Sequence, residues 1–264
     1  MRKLFLPLLL VSLAFTASAL ADDWSKTYDL TGKPSLRVDA GDASIRIENW
    51  DQNKIEAHVT TRGWHIGTDD VKIVERQQGN SVDIEIRQPN RHHVSFGIEA
   101  RRTELEIRMP RNAKVDIRSQ DGSISAKGLA GELDFSSGDG RLELENVDGN
   151  LRAHTSDGSV RVSGRFDVLD LNTSDGRVDL EVRPGSQIQQ SWRIRTSDGS
   201  VAVRLPGEMA ADVDLHTGDG HITTNIPIVV EGSFDQENLH GKLNGGGNRL
   251  SIYTGDGSIT LDKF

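Results

Sequence analysis

In one recurring phase, the dipeptide Asp-Gly returns along this chain at Asp121, Asp139, Asp157, Asp175, Asp198, Asp219 and Asp256. The first three intervals are each 18 residues and the next are 23, 21 and 37. A fixed internal period restricts the fold before any other feature does. With the Asp as position 1, position 4 reads Ile124, Leu142, Val160, Val178, Val201, Ile222, Ile259, and position 6 reads Ala126, Leu144, Val162, Leu180, Val203, Thr224, Leu261. Position 13 reads Val115, Leu133, Leu151, Leu169, Trp192, Val213, Leu250, and position 15 reads Ile117, Phe135, Ala153, Leu171, Ile194, Leu215, Ile252. The residues between them are almost all polar. Each unit therefore carries two short runs of period-two alternation, the signature of two half-buried strands. The longer intervals insert residues between positions 6 and 13, where a turn belongs.

Hairpins would turn these strands into an antiparallel meander; stacked units would make a solenoid with equivalent residues about 4.8 Å apart. Matching of like with like favours stacking. Position 17 is Ser119, Ser137, Thr155, Thr173, Thr196, Thr217, Thr254, an inward hydroxyl column able to hydrogen-bond along the stack. Position 14 reads Asp116, Asp134, Arg152, Asp170, Arg193, Asp214, which sets each Arg between two Asp if units stack in chain order; position 5 offers Glu143, Arg161, Asp179. One unit cannot bury enough apolar surface to offset the entropy of ordering it, so the units stand only together. Asp-Gly recurs because every coil needs one corner, where Gly accepts positive φ and Asp caps a nearby backbone N–H. The expected fold is all-β, a parallel β-solenoid of about 18-residue coils, with an irregular N-terminal cap and first coils over 22–102 and regular repeats over 103–264.

The opening residues MRKLFLPLLLVSLAFTASALA place Arg2 and Lys3 before an apolar run and end on the small-x-small pattern Ala19-Leu20-Ala21. This reads as a signal peptide over 1–21, too short to span a bilayer comfortably. No second such run follows, so the expectation is an exported protein, periplasmic or secreted to the cell surface, with no transmembrane segment after cleavage. The chain has no cysteine, hence neither a disulfide nor a lipid-bearing Cys. Loss of Arg2 and Lys3 takes the formal charge from −9 to −11, which argues against nucleic acid as a partner.

The order of motifs resembles the bacterial DUF4097 family, whose label is adhesin. The resemblance rests on GDASIRIENWDQNKIEAHVTT (41–61), on the block from Leu105 through LEIRMPRNAKVDIRSQDGSISAKGLAGELDFSSGDGRLELENVDGNLRAHTSDGSV, and on HGKLNGGGNRLSIYTGDGSITL (240–261). It covers nearly all of the chain beyond the signal peptide. It implies a parallel β-solenoid in or outside the cell envelope, and it brings no catalytic residues with it.

Candidate sites are few. Stacked corner carboxylates, Asp139, Asp157, Asp175 and Asp198 among them, could line a calcium column, but repulsion of about 0.9 kcal/mol per pair in water is offset by one local hydrogen bond, so no cation is required. A basic cluster of Arg87, Arg91, His92, His93, Arg101, Arg102, Arg108 and Arg111 surrounds the loop QPNRHHVSFGIEA, readable as a lip for an anionic ligand or as a loop packed over the solenoid end. His92 and His93 are adjacent on an extended chain and point apart; His154 and His216 would lie three coils, about 14 Å, apart. Neither pair suits zinc. Trp50 and Trp64 could stack on sugar or fill a cap core. No catalytic layer stands out, and no nucleophile elbow, phosphate loop or HExxH motif occurs. The sequence thus points to a non-enzymatic exported binding scaffold or adhesin whose partner is an envelope component, glycan or protein. The alternatives are an envelope-stress module binding an anionic ligand through the 87–111 region, and a polysaccharide lyase or hydrolase. Open sheet edges at a solenoid terminus also invite end-to-end self-association.

Overall fold

A computed structural model describes residues 22–67, 70–89, 101–231 and 235–263. Among them lie 21 strands of one continuous sheet and no helix. The two alternating runs of each repeat become two walls. On the first wall, β8 (Asn112–Arg118), β10 (Ala130–Ser136), the second half of β11 (Leu142–His154), the second half of β12 (Val160–Asn172) and β14 (Trp192–Arg195) pair in parallel. On the second, β9 (Ile124–Lys127), the first halves of β11 and β12, β13 (Val178–Val182) and β15 (Val201–Leu205) do the same. Leu142, Val160, Val178 and Val201 are direct ladder partners in that order, all buried. Like lies on like, as the repeat requires.

The coil order departs from chain order at both ends. Coil β20–β21 (Arg249–Thr254, Ile259–Lys263) stacks directly on β14–β15, and coil β16–β17 (Ala211–Thr217, Ile222–Thr224) stacks on the far side of β20–β21. At the other end β2–β3 (Ser35–Asp39, Ser44–Trp50) lies between β8–β9 and β6–β7 (Ser81–Arg87, Arg102–Pro110). The N-terminal third is thus less irregular than its sequence suggests, for it holds two stacked coils. Antiparallel strands finish the ends: β4 (Lys54–Arg62) and then β1 (Asp23–Asp29) beyond β7, β5 (Lys72–Gln78) beyond β6, and β19 (Asn238–Leu243) and β18 (Ile228–Val230) beyond β16. Intercalation also changes the charge column. Arg152 does sit between Asp134 and Asp170, whereas Arg193 has Asp170 on one side and Ser251, not Asp214, on the other.

The corners keep their hydroxyl column but not the glycine rationale. Thr155 Oγ1 donates to the carbonyl oxygens of Gly138 (2.8 Å) and Gly140 (3.1 Å) in the coil below and accepts from Gly158 N–H of its own corner. Thr173, Thr196 and Thr254 repeat the pattern, and all are buried. The corner glycines, however, do not have positive φ. They are required because the neighbouring backbone leaves no room: a Cβ on Gly158 would lie 2.1 Å from Gly140 O, one on Gly176 1.9 Å from Gly158 O, and one on Gly257 2.1 Å from Gly199 O. The corner Asp side chains, expected to cap backbone N–H groups, accept no hydrogen bond among the described residues. Backbone amides bind the layers instead, as Ser156 N–H and Asp157 N–H both donate to Gly138 O.

Positive φ appears at an Asp-Gly out of phase with the others. Gly149 has φ 105°, and its neighbour Asp148 accepts from Arg111 Nη2 and Arg165 Nη2 at 2.6 Å each and from Arg165 N–H at 3.1 Å. Burial raises the Asp148 carboxyl, but these hydrogen bonds and the charges of Arg165 and Arg111 outweigh it and hold it below its ordinary value. A carboxyl depressed on folding contributes stability that is fully present above its unfolded pKa and is lost as pH falls through the folded one. Asp148→Asn is therefore expected to cost about 2 kcal/mol at neutral pH and much less in strong acid. Denaturant unfolding across pH checks this, and an equal cost at both ends would contradict it.

Candidate functional site

One layer breaks the corner pattern. β6 ends at Arg87 and β7 begins at Arg102, so 14 residues stand where other coils turn in a few. Beside this break lies a groove of about 560 Å³ on the second wall, lined among others by Asp42, Arg46, Trp64, Arg101, Arg102 and Arg141. Stacking assembles it from distant segments. β3 lies between β7 and β9, and β11 follows β9, so Arg46 and Arg141 arrive on the same wall as Arg102.

Four arginines of the groove face three carboxylates in its lining, Asp42, Glu104 and Glu143, so its positive excess is small. Arg46 reaches Glu104 at 3.6 Å and Glu106 at 3.4 Å, and Arg141 Nε donates to Ser159 Oγ at 3.1 Å. The Arg101 guanidinium lies over the Trp64 ring, 4.5 Å from its centroid. Among the described residues neither Arg101 nor Arg102 has an acidic partner within 4 Å. Thr103 lines the groove, and its buried hydroxyl has no hydrogen-bond partner among those residues. The arrangement can meet an anion with two guanidiniums that have no acidic partner among the described residues and with an aromatic-backed wall. Among the described residues it holds no cluster of metal ligands.

Of the basic residues picked out in the sequence, Arg101 and Arg102 come together here. Arg87 is held by Glu85 (2.5 and 2.8 Å) and does not line the groove. Arg108 and Arg111 face acids elsewhere, Glu56 at 3.7 Å and Asp148 at 2.6 Å. Arg91, His92 and His93 lie outside the described residues. Trp50 donates its indole N–H to Lys54 O at 2.8 Å, a local bond across the turn between β3 and β4. Arg46 and Arg141 were missed by sequence reading; the signal that could have found Arg46 is Ala40-Gly41-Asp42-Ala43, a corner in disguise.

That disguised corner also extends the acid column. In stack order it runs Asp42, Asp121, Asp139, Asp157, Asp175, Asp198, Asp256, Asp219, one carboxylate per layer, with Asp42 pushed up by burial and then by Asp121. Calcium takes six to eight oxygen ligands, and no group of three or more candidate ligand side chains gathers among the described residues. His154 and His216 are separated by Asn172, Arg195 and Tyr253, hence four layers, about 19 Å. Among the described residues no helix is long and apolar enough to cross a membrane.

Comparison with solved structures finds similarity to a "putative cell adhesion protein" from Clostridium sporogenes (16% identity, 93% of this chain and 100% of that one, TM-score 0.45). A "putative adhesin" from Parabacteroides merdae is similar at 11% identity, over 90% of this chain and 95% of that one, TM-score 0.47. A "putative lipid binding protein" from Parabacteroides distasonis is similar at 12% identity, over 91% and 96%, TM-score 0.40. No curated protein matches. The Toastrack DUF4097 profile matches residues 34–191 and again 165–262, which spans nearly all of the stacked coils. On that match the chain belongs to the Toastrack DUF4097 family.

Proposed function

We propose that this protein is a non-enzymatic binding scaffold, exported to the bacterial envelope or surface, and that the groove at Arg101, Arg102 and Trp64 takes an anionic envelope component such as an acidic glycan. The observation that carries the reading is the break in the corner pattern. Elsewhere the walls repeat layer upon layer, and some of their charges pair along the columns, Lys127 with Glu145 and Arg204 with Glu181 among them. At the break the repeat is interrupted, and Arg101, set over the Trp64 ring, and Arg102 line one groove without acidic partners among the described residues. The rigid stack supplies a fixed presentation of that surface, which lowers the entropy cost of binding.

The test is retention of residues 22–264 on beads coated with an acidic polysaccharide, against neutral-glycan beads. Binding is expected to fall as salt rises. Arg101→Ala and Arg102→Ala should each weaken it about tenfold, the loss of one charge-assisted hydrogen bond. Arg87→Ala, outside the groove, should leave it unchanged. Equal retention on both bead types, or groove variants that bind like the parent, would end this reading.

A further inference from the structure

The position of coil β20–β21 poses a physical problem that the rest of the stack does not. It lies latest in chain order of all the coils, yet it is enclosed on both sides. Thr196 N–H donates to Tyr253 O and Val201 N–H to Ser258 O on one side; on the other, Ile259 N–H donates to His221 O and Gly218 N–H to Gly255 O. The corner hydroxyls lock the same two interfaces: Thr254 Oγ1 donates to Gly199 O at 2.8 Å, and Thr217 Oγ1 to Gly257 O at 2.7 Å.

Both neighbours follow one grammar. Val213, Leu215, Thr217, Gly220 and Ile222 occupy the positions that Leu250, Ile252, Thr254, Gly257 and Ile259 occupy in the inserted coil. A coil of either set presents the same apolar columns, hydroxyl and close-approach glycine to β14–β15. Hence β16–β17, made earlier, can cover β14–β15 itself until β20–β21 arrives, and the slot between them has the chemistry of a coil-binding site. The inserted coil is tied to the preceding strand by Asn244-Gly245-Gly246-Gly247-Asn248. Asn244, Gly245 and Gly246 all have positive φ (48°, 88° and 86°), and the linker is largely exposed. A surface hinge that adopts unusual backbone angles to fold a segment back is also the element through which segments exchange between copies.

We infer that the slot between β14–β15 and β16–β17 is a docking site for coil β20–β21 of a second copy of this chain, so that two copies pair by exchanging residues 249–263. The complementarity is that of the closed monomer, Arg193 against Ser251 and Ile194 against Ile252, now made between chains. The stack's outer edges are less suited to pairing. β17 and β18 are three residues each, β18 sits between Pro227 and Glu231, β5 carries Lys72, Glu75 and Arg76, and β1, paired among the described residues only with β4, carries Asp23, Lys26 and Asp29. Such short, charged or proline-flanked edges resist strand addition.

The absence of native cysteine makes the test clean. Arg193 and Ser251 are ladder partners on adjacent strands, a separation a disulfide can bridge. Arg193→Cys and Ser251→Cys full-length chains are refolded together at high chain concentration and then oxidised. The expected result is a species of twice the chain mass that forms from the mixture far more than from either variant alone. Deletion of Gly245, Gly246 and Gly247 should raise its yield several-fold, since a shortened hinge cannot fold back. The doubly substituted chain, oxidised when dilute, should close its bond internally. If that internal bond forms but the mixture gives no linked pair, with or without the hinge deletion, exchange is overturned; if it does not form, the pairing on which the slot rests is wrong. Neither result bears on the basic groove, which lies at the other end of the stack.

Discussion

Trp192→Ala is expected to lower the unfolding free energy by about 3–5 kcal/mol, a large share of the margin by which a domain is stable. Trp192 is the largest fully buried side chain of the protein. It takes the place that Leu133, Leu151 and Leu169 hold in earlier coils, meets Phe166 edge to face at 6.2 Å, and donates its indole N–H to Asp167 O at 3.2 Å. Alanine would leave a cavity walled by sheet on both faces, where rigid strands cannot close in. Thermal unfolding followed by circular dichroism should show Tm falling by about 10 °C. Trp192→Phe keeps most of the packing and loses the hydrogen bond, so its cost should be about 1–2 kcal/mol. Equal effects for the two would mean that the volume of the ring is not what matters.

Gly176→Ala is the second large effect, and it separates two explanations of the repeat. If the corner glycine served a left-handed backbone, alanine would cost about 1 kcal/mol. Instead its Cβ would meet Gly158 O at 1.9 Å and Gly158 C at 2.6 Å, backbone atoms held by the ladders of both walls. The layers must part for it to fit, at about 3 kcal/mol. Gly79→Ala is the control, because Gly79 has φ 59° and open space around the added carbon. The corner variant should be the more damaging by at least about 1 kcal/mol in denaturant unfolding. The reverse order would restore the conformational explanation.

Much of the architecture was legible because a stacked sheet writes itself in columns. Val160 and Val178, 18 residues apart, are ladder partners, and the hydroxyls of Thr155 and Thr173 do satisfy the corner. What could not be read is which coil follows which. Val213 and Leu250 carry the same chemistry, so nothing in either names its neighbour; only the long interval from Asp219 to Asp256 hints at an excursion. The first inserted coil escaped for a different reason. Its corner, Ala40-Gly41-Asp42-Ala43, lacks both the hydroxyl and the second-position glycine. Local geometry was also invisible: Gly149 and Gly176 follow Asp alike, yet one needs positive φ and the other needs empty space.

The candidate site was half legible. Arg101 and Arg102 stand out as cations beside a long interruption, whereas Arg46 and Arg141 join them only through the stacking of β3 and β11. Arg108 and Arg111 stand apart from the wider basic cluster because stacking supplied them with acids that sequence distance had hidden.

The order of the coils is tested most directly by two engineered cysteine pairs. Ala202 on β15 is the ladder partner of Thr260 on β21, and Thr223 on β17 lies one layer beyond Thr260. Adjacent strands stand about 4.8 Å apart and alternate ones about 9.6 Å, beyond the reach of a disulfide. The chain bearing Ala202→Cys and Thr260→Cys should oxidise to an internal disulfide, while the chain bearing Ala202→Cys and Thr223→Cys should keep two free thiols. A bond in the second and none in the first would mean that the coils stack in chain order and that the intercalated architecture is wrong.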